Sequence, residues 1–277
     1  MSFKENNLKI SDLIEVVKKA GELLKSFYEK EIDVFEKDGV ELVTRADLEV
    51  QNYLKKELTK IKSVSFIGEE EYVKAEISRL LEKNEIFWLV DPVDGTINFI
   101  RKIPWFAISV ALMIGRDPVA GVIYNPVTEE CFFGEAGKGA FVEKNGKIKR
   151  LKVSSTSEFK EALLCTSFPG KCKLIGFEKC VELFKEFNIL TRGVRRFGAT
   201  ALDLAYVAWG KYDGFWEPFL KPWDCAGGIL LVIEAGGKVT DFKGNPYHPF
   251  LENLVASNHK LHHHLIEVTS RWCENVD

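Results

Sequence analysis

Phe87-Trp88-Leu89-Val90, followed by Asp91-Pro92-Val93-Asp94-Gly95-Thr96, constrains the fold more than any other stretch of the 277 residues. Four large apolar residues in a row read as a buried strand, and such strands belong in layered α/β bodies. The strand carries Asp91 to its carboxyl end, where α/β sheets commonly place ligands. Pro92 has no N–H and fixes its own φ, so the chain turns with Asp91 held outside the helical region. Gly95 lets the backbone come close to a ligand, and the amides of Gly95 and Thr96 then face an anion at the mouth of the next segment.

Periodicity supplies the rest of the architecture. Leu13, Val16, Val17, Ala20, Leu23, Leu24 and Phe27 make one apolar face of a helix over residues 12–30. A second helix is expected from about Arg45 to Ile61, then short strands at 63–67 and 86–90. From Trp105 to Val153 the pattern turns to strands, at 107–114, 119–124, 130–134 and 140–142, with Asn145-Gly146 a hairpin signal. Beyond Val153 helix and strand alternate. Strands are predicted at 162–167, 214–217, 238–241 and 254–257, and helices at 177–187, 199–209, 224–235 and 259–272. The fold class is α/β (α+β). An N-terminal part, 1–155, carries the acidic motifs, and a C-terminal part, 156–277, completes one catalytic unit.

A formal net charge of −3 argues against a nucleic-acid binder driven by a basic surface. No apolar run is long enough to cross a bilayer, and the first seven residues lack the apolar stretch of a secretory signal. Cys131, Cys165, Cys172, Cys180, Cys225 and Cys273 show no C-x-x-C spacing, so reduced thiols in a cytoplasmic protein are expected.

Acidic residues from separated segments carry the chemistry. Glu69 and Glu70 follow Phe66-Ile67-Gly68; taken alone they read as a solvated turn, but beside Asp91 and Asp94 one of them can supply a ligand oxygen and the other support it. Asp224 precedes Cys225-Ala226-Gly227-Gly228 and reads either as an N-cap or as a ligand, with the small residues leaving room for a bulky group. Oxygen donors from distant segments suit a hard divalent cation such as Mg²⁺, and helix-opening amides suit a phosphate. Together they point to phosphate-ester hydrolysis. Thr44-Arg45-Ala46-Asp47 has capping-box spacing with Asp in place of Glu. The His262-His263-His264 run is expected at the surface.

Gly68-Glu69-Glu70, Asp91 to Phe99, Trp223-Asp224 and Glu234-Ala235-Gly236-Gly237 resemble the inositol monophosphatase family of Mg²⁺-dependent, lithium-sensitive phosphatases. The resemblance runs over essentially the whole chain. It implies an αβαβα sandwich, a homodimer and two or three Mg²⁺ ions per site. The residues matching metal ligands are Glu69, Asp91, the Val93 carbonyl, Asp94 and Asp224. Asp47 and Thr96 match the pair that orients and deprotonates the attacking water. Gly95 and Thr96 match the phosphate cradle, and Gly198, Ala199, Thr200, Glu217 and Asp224 match positions facing the alcohol. Ile97 stands where many members carry Thr, and Lys37-Asp38-Gly39 replaces a slightly longer loop of some relatives.

The implied reaction is hydrolysis of a small polyol or sugar phosphate, first inositol 1-phosphate. Fructose 1,6-bisphosphate (or both activities together), histidinol phosphate and 3′-phosphoadenosine 5′-phosphate are the alternatives within the superfamily. A haloacid-dehalogenase-type phosphatase needs its two aspartates two apart rather than the three that separate Asp91 and Asp94. A metal-binding regulator without catalysis is the alternative from a different class. Neither nucleic acid nor membrane is an expected partner.

Overall fold

The computed structural model describes residues 8–30, 34–37, 41–168, 170–172 and 176–273. Helix α1 (Ile10–Tyr28) is followed by a short antiparallel pair, β1 (Val34–Lys37) and β2 (Glu41–Thr44), and by α2 (Arg45–Ile61). Strand β3 (Ser65–Gly68) leads into a 3-10 turn at Glu69–Glu71 and α3 (Lys74–Glu82); β4 (Ile86–Asp94) leads into the short α4 (Thr96–Ile100). Strands β5 (Ala107–Ile114), β6 (Asp117–Asn125), β7 (Glu130–Glu135), β8 (Gly139–Lys144) and β9 (Lys147–Arg150) follow as an antiparallel meander. The rest alternates: β10 (Leu163–Thr166), α5 (Phe177–Leu190), β11 (Gly193–Arg195), α6 (Thr200–Ala208), β12 (Gly214–Glu217), α7 (Pro222–Glu234), β13 (Gly237–Thr240), β14 (Leu254–Asn258) and α8 (His262–Cys273).

Besides the β1–β2 pair, two larger sheets form among the described residues. One has seven strands in the order β3 to β9, with only β3 and β4 parallel; the other has five in the order β11-β10-β12-β14-β13. Period-two alternation explains the layering. From β4, Trp88 and Val90 pack with Leu13, Val17, Val50 and Leu54 of α1 and α2, while Phe87 and Leu89 face α3 and the start of α7. From β12, Phe215 joins the core around α6 and α7, and Trp216 joins that of α5 and α8. The order of layers is α1/α2, large sheet, α6/α7, small sheet, α5/α8, which is the αβαβα sandwich that the resemblance implies.

Three local expectations are corrected. Helix α7 begins at Pro222, so Asp224 is its third residue and not its N-cap; its carboxylate accepts the Lys221 N–H at 3.0 Å. The small residues after Asp224 make no room for a ligand. Ala226, Gly227 and Gly228 are buried against the large sheet and α6, and a Cβ on Gly228 would lie 2.5 Å from Leu204 Cβ. His262 is not at the surface: it is 2% exposed, and its two ring nitrogens bond Ser257 Oγ at 2.8 Å and Thr240 Oγ1 at 2.9 Å. Burial pushes its pKa down to about 4. No helix among the described residues is long and apolar enough to cross a membrane. Asp38 and Gly39 lie outside the described residues, and Ile97 is exposed.

Candidate active site

Strand β4 loses its pairing with β5 between Asp91 and Asp94, so Pro92 and Val93 bulge out of the ladder. Asp91 Oδ1 accepts the Val93 N–H at 2.9 Å and closes the turn. Thr96 Oγ1 donates to the Val93 carbonyl at 3.1 Å. Gly95 sits at φ 89°, where a side chain would be strained and would also meet the Trp105 carbonyl at 3.0 Å. Only glycine turns the chain here. Gly95 and Thr96 open α4, so their N–H groups have no partner within that helix.

Around Asp91 the other acids gather. It is buried, and its pKa is pushed well up, first by burial and then by the charges of Glu69, Asp94 and Asp224. Glu69 stands on the Asp91 and Asp94 side, whereas Glu70 faces Asp47. The Glu70 N–H donates to Gln51 Oε1 at 3.1 Å, one turn along α2 from Asp47. Glu69, Asp94 and Asp224 all stand within electrostatic reach of Asp91, although among the described residues no three Asp, Glu, His or Cys side chains already close on one point. All donors are hard oxygens, and a divalent cation would relieve their repulsion. The residues fit such an ion.

Asp94 does something its sequence context does not suggest. Its oxygens accept the N–H groups of Thr200 at 3.1 Å and Ala201 at 2.8 Å, so a β4 carboxylate caps α6 from more than a hundred residues away. Burial still outweighs those bonds and pushes Asp94 up to about 7. Thr200 Oγ1 donates to Glu217 Oε2 at 2.7 Å, and burial pushes Glu217 up as well. The Gly198–Thr200 turn therefore reaches the site with its Thr200 amide and hydroxyl both engaged.

One turn after Asp94, Asn98 completes the grip. Its amide nitrogen donates to the carbonyls of Trp105 at 2.8 Å and Phe197 at 2.7 Å, with Gly198 O at 3.4 Å. Asp203, on α6, is buried with neither oxygen well hydrogen-bonded; the Trp105 indole N–H leans toward it without good alignment. Gln51, Asn98 and Asp203 escape sequence reasoning because each works through contacts with residues distant in the chain.

Asp47 lies at the edge of the cluster. Thr44 N–H donates to Asp47 Oδ2 at 2.8 Å, the Thr44 hydroxyl donates to the same oxygen, and Ala46 N–H reaches Thr44 Oγ1 at 3.1 Å. This is the capping box that the spacing predicts. Burial pushes Asp47 up to about 6, against the Thr44 hydrogen bonds and helped by the charge of Glu70. No hydrogen bond joins Asp47 to Thr96 among the described residues.

Comparison with known proteins gives the family of the chain. The sequence profile of the inositol monophosphatase family matches residues 7–272. The chain is 38% identical to an inositol-1-monophosphatase of Caulobacter vibrioides, over 92% of this chain and 98% of the relative. It is 40% identical to the Nus factor SuhB of Pseudomonas aeruginosa, over 89% and 90%. A solved Thermotoga maritima IMPase superposes with a TM-score of 0.84 at 31% identity, covering 97% of this chain and 99% of that one. The extragenic suppressor protein suhB of Bartonella henselae gives 0.84 at 35%, covering 95% and 98%. With its acidic motifs in place on the αβαβα frame, this chain belongs to the inositol monophosphatase family.

Proposed function

We propose that the chain is a Mg²⁺-dependent phosphomonoesterase acting on a small polyol or sugar phosphate, inositol 1-phosphate first. The observation that carries this reading is the cluster around buried Asp91, where Asp94 of the same strand is joined by Glu69 and Asp224 from two further elements beside the start of α4. Glu69, Asp91, the Val93 carbonyl, Asp94 and Asp224 would hold two or three ions. When bound, such ions neutralise phosphoryl oxygens, stabilise the leaving alkoxide and acidify a water. Asp47, raised to about 6, is close to the pKa that a general base needs near neutrality. The Thr96 hydroxyl orients the water, and the Gly95 and Thr96 amides hold the phosphate at the start of α4. Gly198, Ala199, Thr200 and Glu217 face the alcohol, with Asp224 at the border between metal and substrate.

A second reading is favoured by one relative. The chain is 32% identical to a Thermotoga maritima protein named fructose-1,6-bisphosphatase/inositol-1-monophosphatase, over 95% of this chain. A cytoplasmic, lithium-sensitive homodimer is part of the same proposal. Phosphate release from inositol 1-phosphate, fructose 1,6-bisphosphate, histidinol phosphate and 3′-phosphoadenosine 5′-phosphate tests it, with Mg²⁺ and then with EDTA. Inositol 1-phosphate is expected to be turned over fastest, only with Mg²⁺. Failure to release phosphate from all four would overturn the proposal.

A further inference from the structure

Two thiols meet away from the carboxylate cluster. Cys180 lies in the first turn of α5, and its sulfur is 3.0 Å from that of Cys172. Both side chains are buried. The separation exceeds the disulfide bond length by only about 1 Å, so closure asks for small side-chain rotations. The neighbourhood is not remote from the site, because Cys172 feels the charges of Glu217 and Arg196.

The other free thiols in the described residues differ in kind. Cys165 and Cys225 bond to backbone carbonyls, and Cys225 also to the Tyr247 hydroxyl. Burial pushes Cys131 up to about 12 and raises Cys165 and Cys225 too, which makes all three poor nucleophiles. In the neutral pair Cys180 donates to Cys172. Once one thiol ionises the bond reverses, and the Cys172 S–H holds a Cys180 thiolate; that bond lowers Cys180 and raises Cys172. The positive end of α5 adds to the stabilisation of the thiolate.

We propose that Cys172 and Cys180 form a dithiol site that a hydroperoxide oxidises to a reversible disulfide. The Cys180 thiolate attacks one peroxide oxygen; the S–O bond forms, the O–O bond breaks, and the departing hydroxide takes a proton to become water. The Cys172 sulfur then attacks the sulfenic sulfur of Cys180. An S–S bond forms, the S–O bond breaks, and the hydroxide leaves with the Cys172 proton as a second water. Two thiols and one hydrogen peroxide give one disulfide and two waters.

The test uses the reduced full-length chain treated with hydrogen peroxide, followed by alkylation under denaturing conditions and peptide mapping without reductant. The expected product is a single linked peptide pair containing Cys172 and Cys180, lighter by two hydrogens. Dithiothreitol should restore both thiols. Cys131, Cys165 and Cys225 should stay open to alkylation, and neither Cys172→Ser nor Cys180→Ser should give the linked pair. If wild-type Cys172 and Cys180 both survive as thiols, or are oxidised separately to sulfinic acids, the dithiol site is refuted.

Discussion

At the residue scale, Asp94 and Asn98 show one short segment gripping another by opposite polarities. The carboxylate takes the N–H groups of Thr200 and Ala201, and the carboxamide gives protons to the carbonyls of Trp105 and Phe197. Replacing Asn98 by its isostere Asp would set a carboxylate against those carbonyls. Asn98→Asp should cost about 2 kcal/mol from unsatisfied buried groups. Turnover should fall on the order of tenfold to a hundredfold through the displaced turn. Thermal unfolding and phosphate release check the two effects separately. Asp94→Asn should lower turnover roughly a hundredfold or more. It should shift the unfolding midpoint by only a few degrees, because losing one amide acceptor is offset by removing a buried repelling charge. Retained activity in that variant would remove Asp94 from the proposed ligand set. Glu69, Asp91 and Asp94 stood out in the sequence because they lie at strand ends in short motifs. Asn98 and Gln51 did not, since a carboxamide in a helix carries no mark of which distant carbonyl or amide it will meet.

At the scale of elements, α7 explains why four small residues follow Asp224. Gly228→Ala would gain about 1 kcal/mol of helix propensity. It would also force a methyl group to 2.5 Å from Leu204 Cβ, where neither helix backbone can yield cheaply. Overpacking of this kind costs about 1–3 kcal/mol, and the contact is close enough for it to win. The unfolding midpoint should drop by about 2–4 °C in a thermal scan. Long helices and apolar strands were readable because burial imposes a period: α2 spans 45–61 as its apolar face predicts. Helix α3 was not, since only Ile77 and Leu80 are buried in it. The same holds for β11, which has three residues, whereas β9, exposed along its length, was announced only by the Asn145-Gly146 turn that leads into it. An element with little to bury leaves little pattern.

At the scale of the whole molecule, burial sets how stability depends on acidity. Asp47 and Asp94 hold their protons to about 6 and about 7 in the folded chain, against an ordinary value of 3.8. Folding therefore binds protons that the unfolded chain would release. The resulting stability is present at low pH and is lost as pH rises through those folded-state values. Without divalent cations the unfolding midpoint should decline from about pH 4 to pH 7, as far as these groups govern it. Mg²⁺ competes with those protons, so the rise in midpoint on adding it should be larger at pH 8 than at pH 5. An equal rise at both would separate metal binding from these carboxylates. Helix α7 packs on both sheets, which no local periodicity announces.

From Cys225 to Val232 helix α7 has no wet side. Polarity therefore cannot choose its rotation about its own axis, since every face is equally greasy. Volume must choose instead, with the two glycines seated where neighbours crowd and the leucines where they stand back. Asp224 rides at the head of the same rod. The aim of an acidic side chain is thus set, like a key by its notches, by where side chains are missing farther down the shaft.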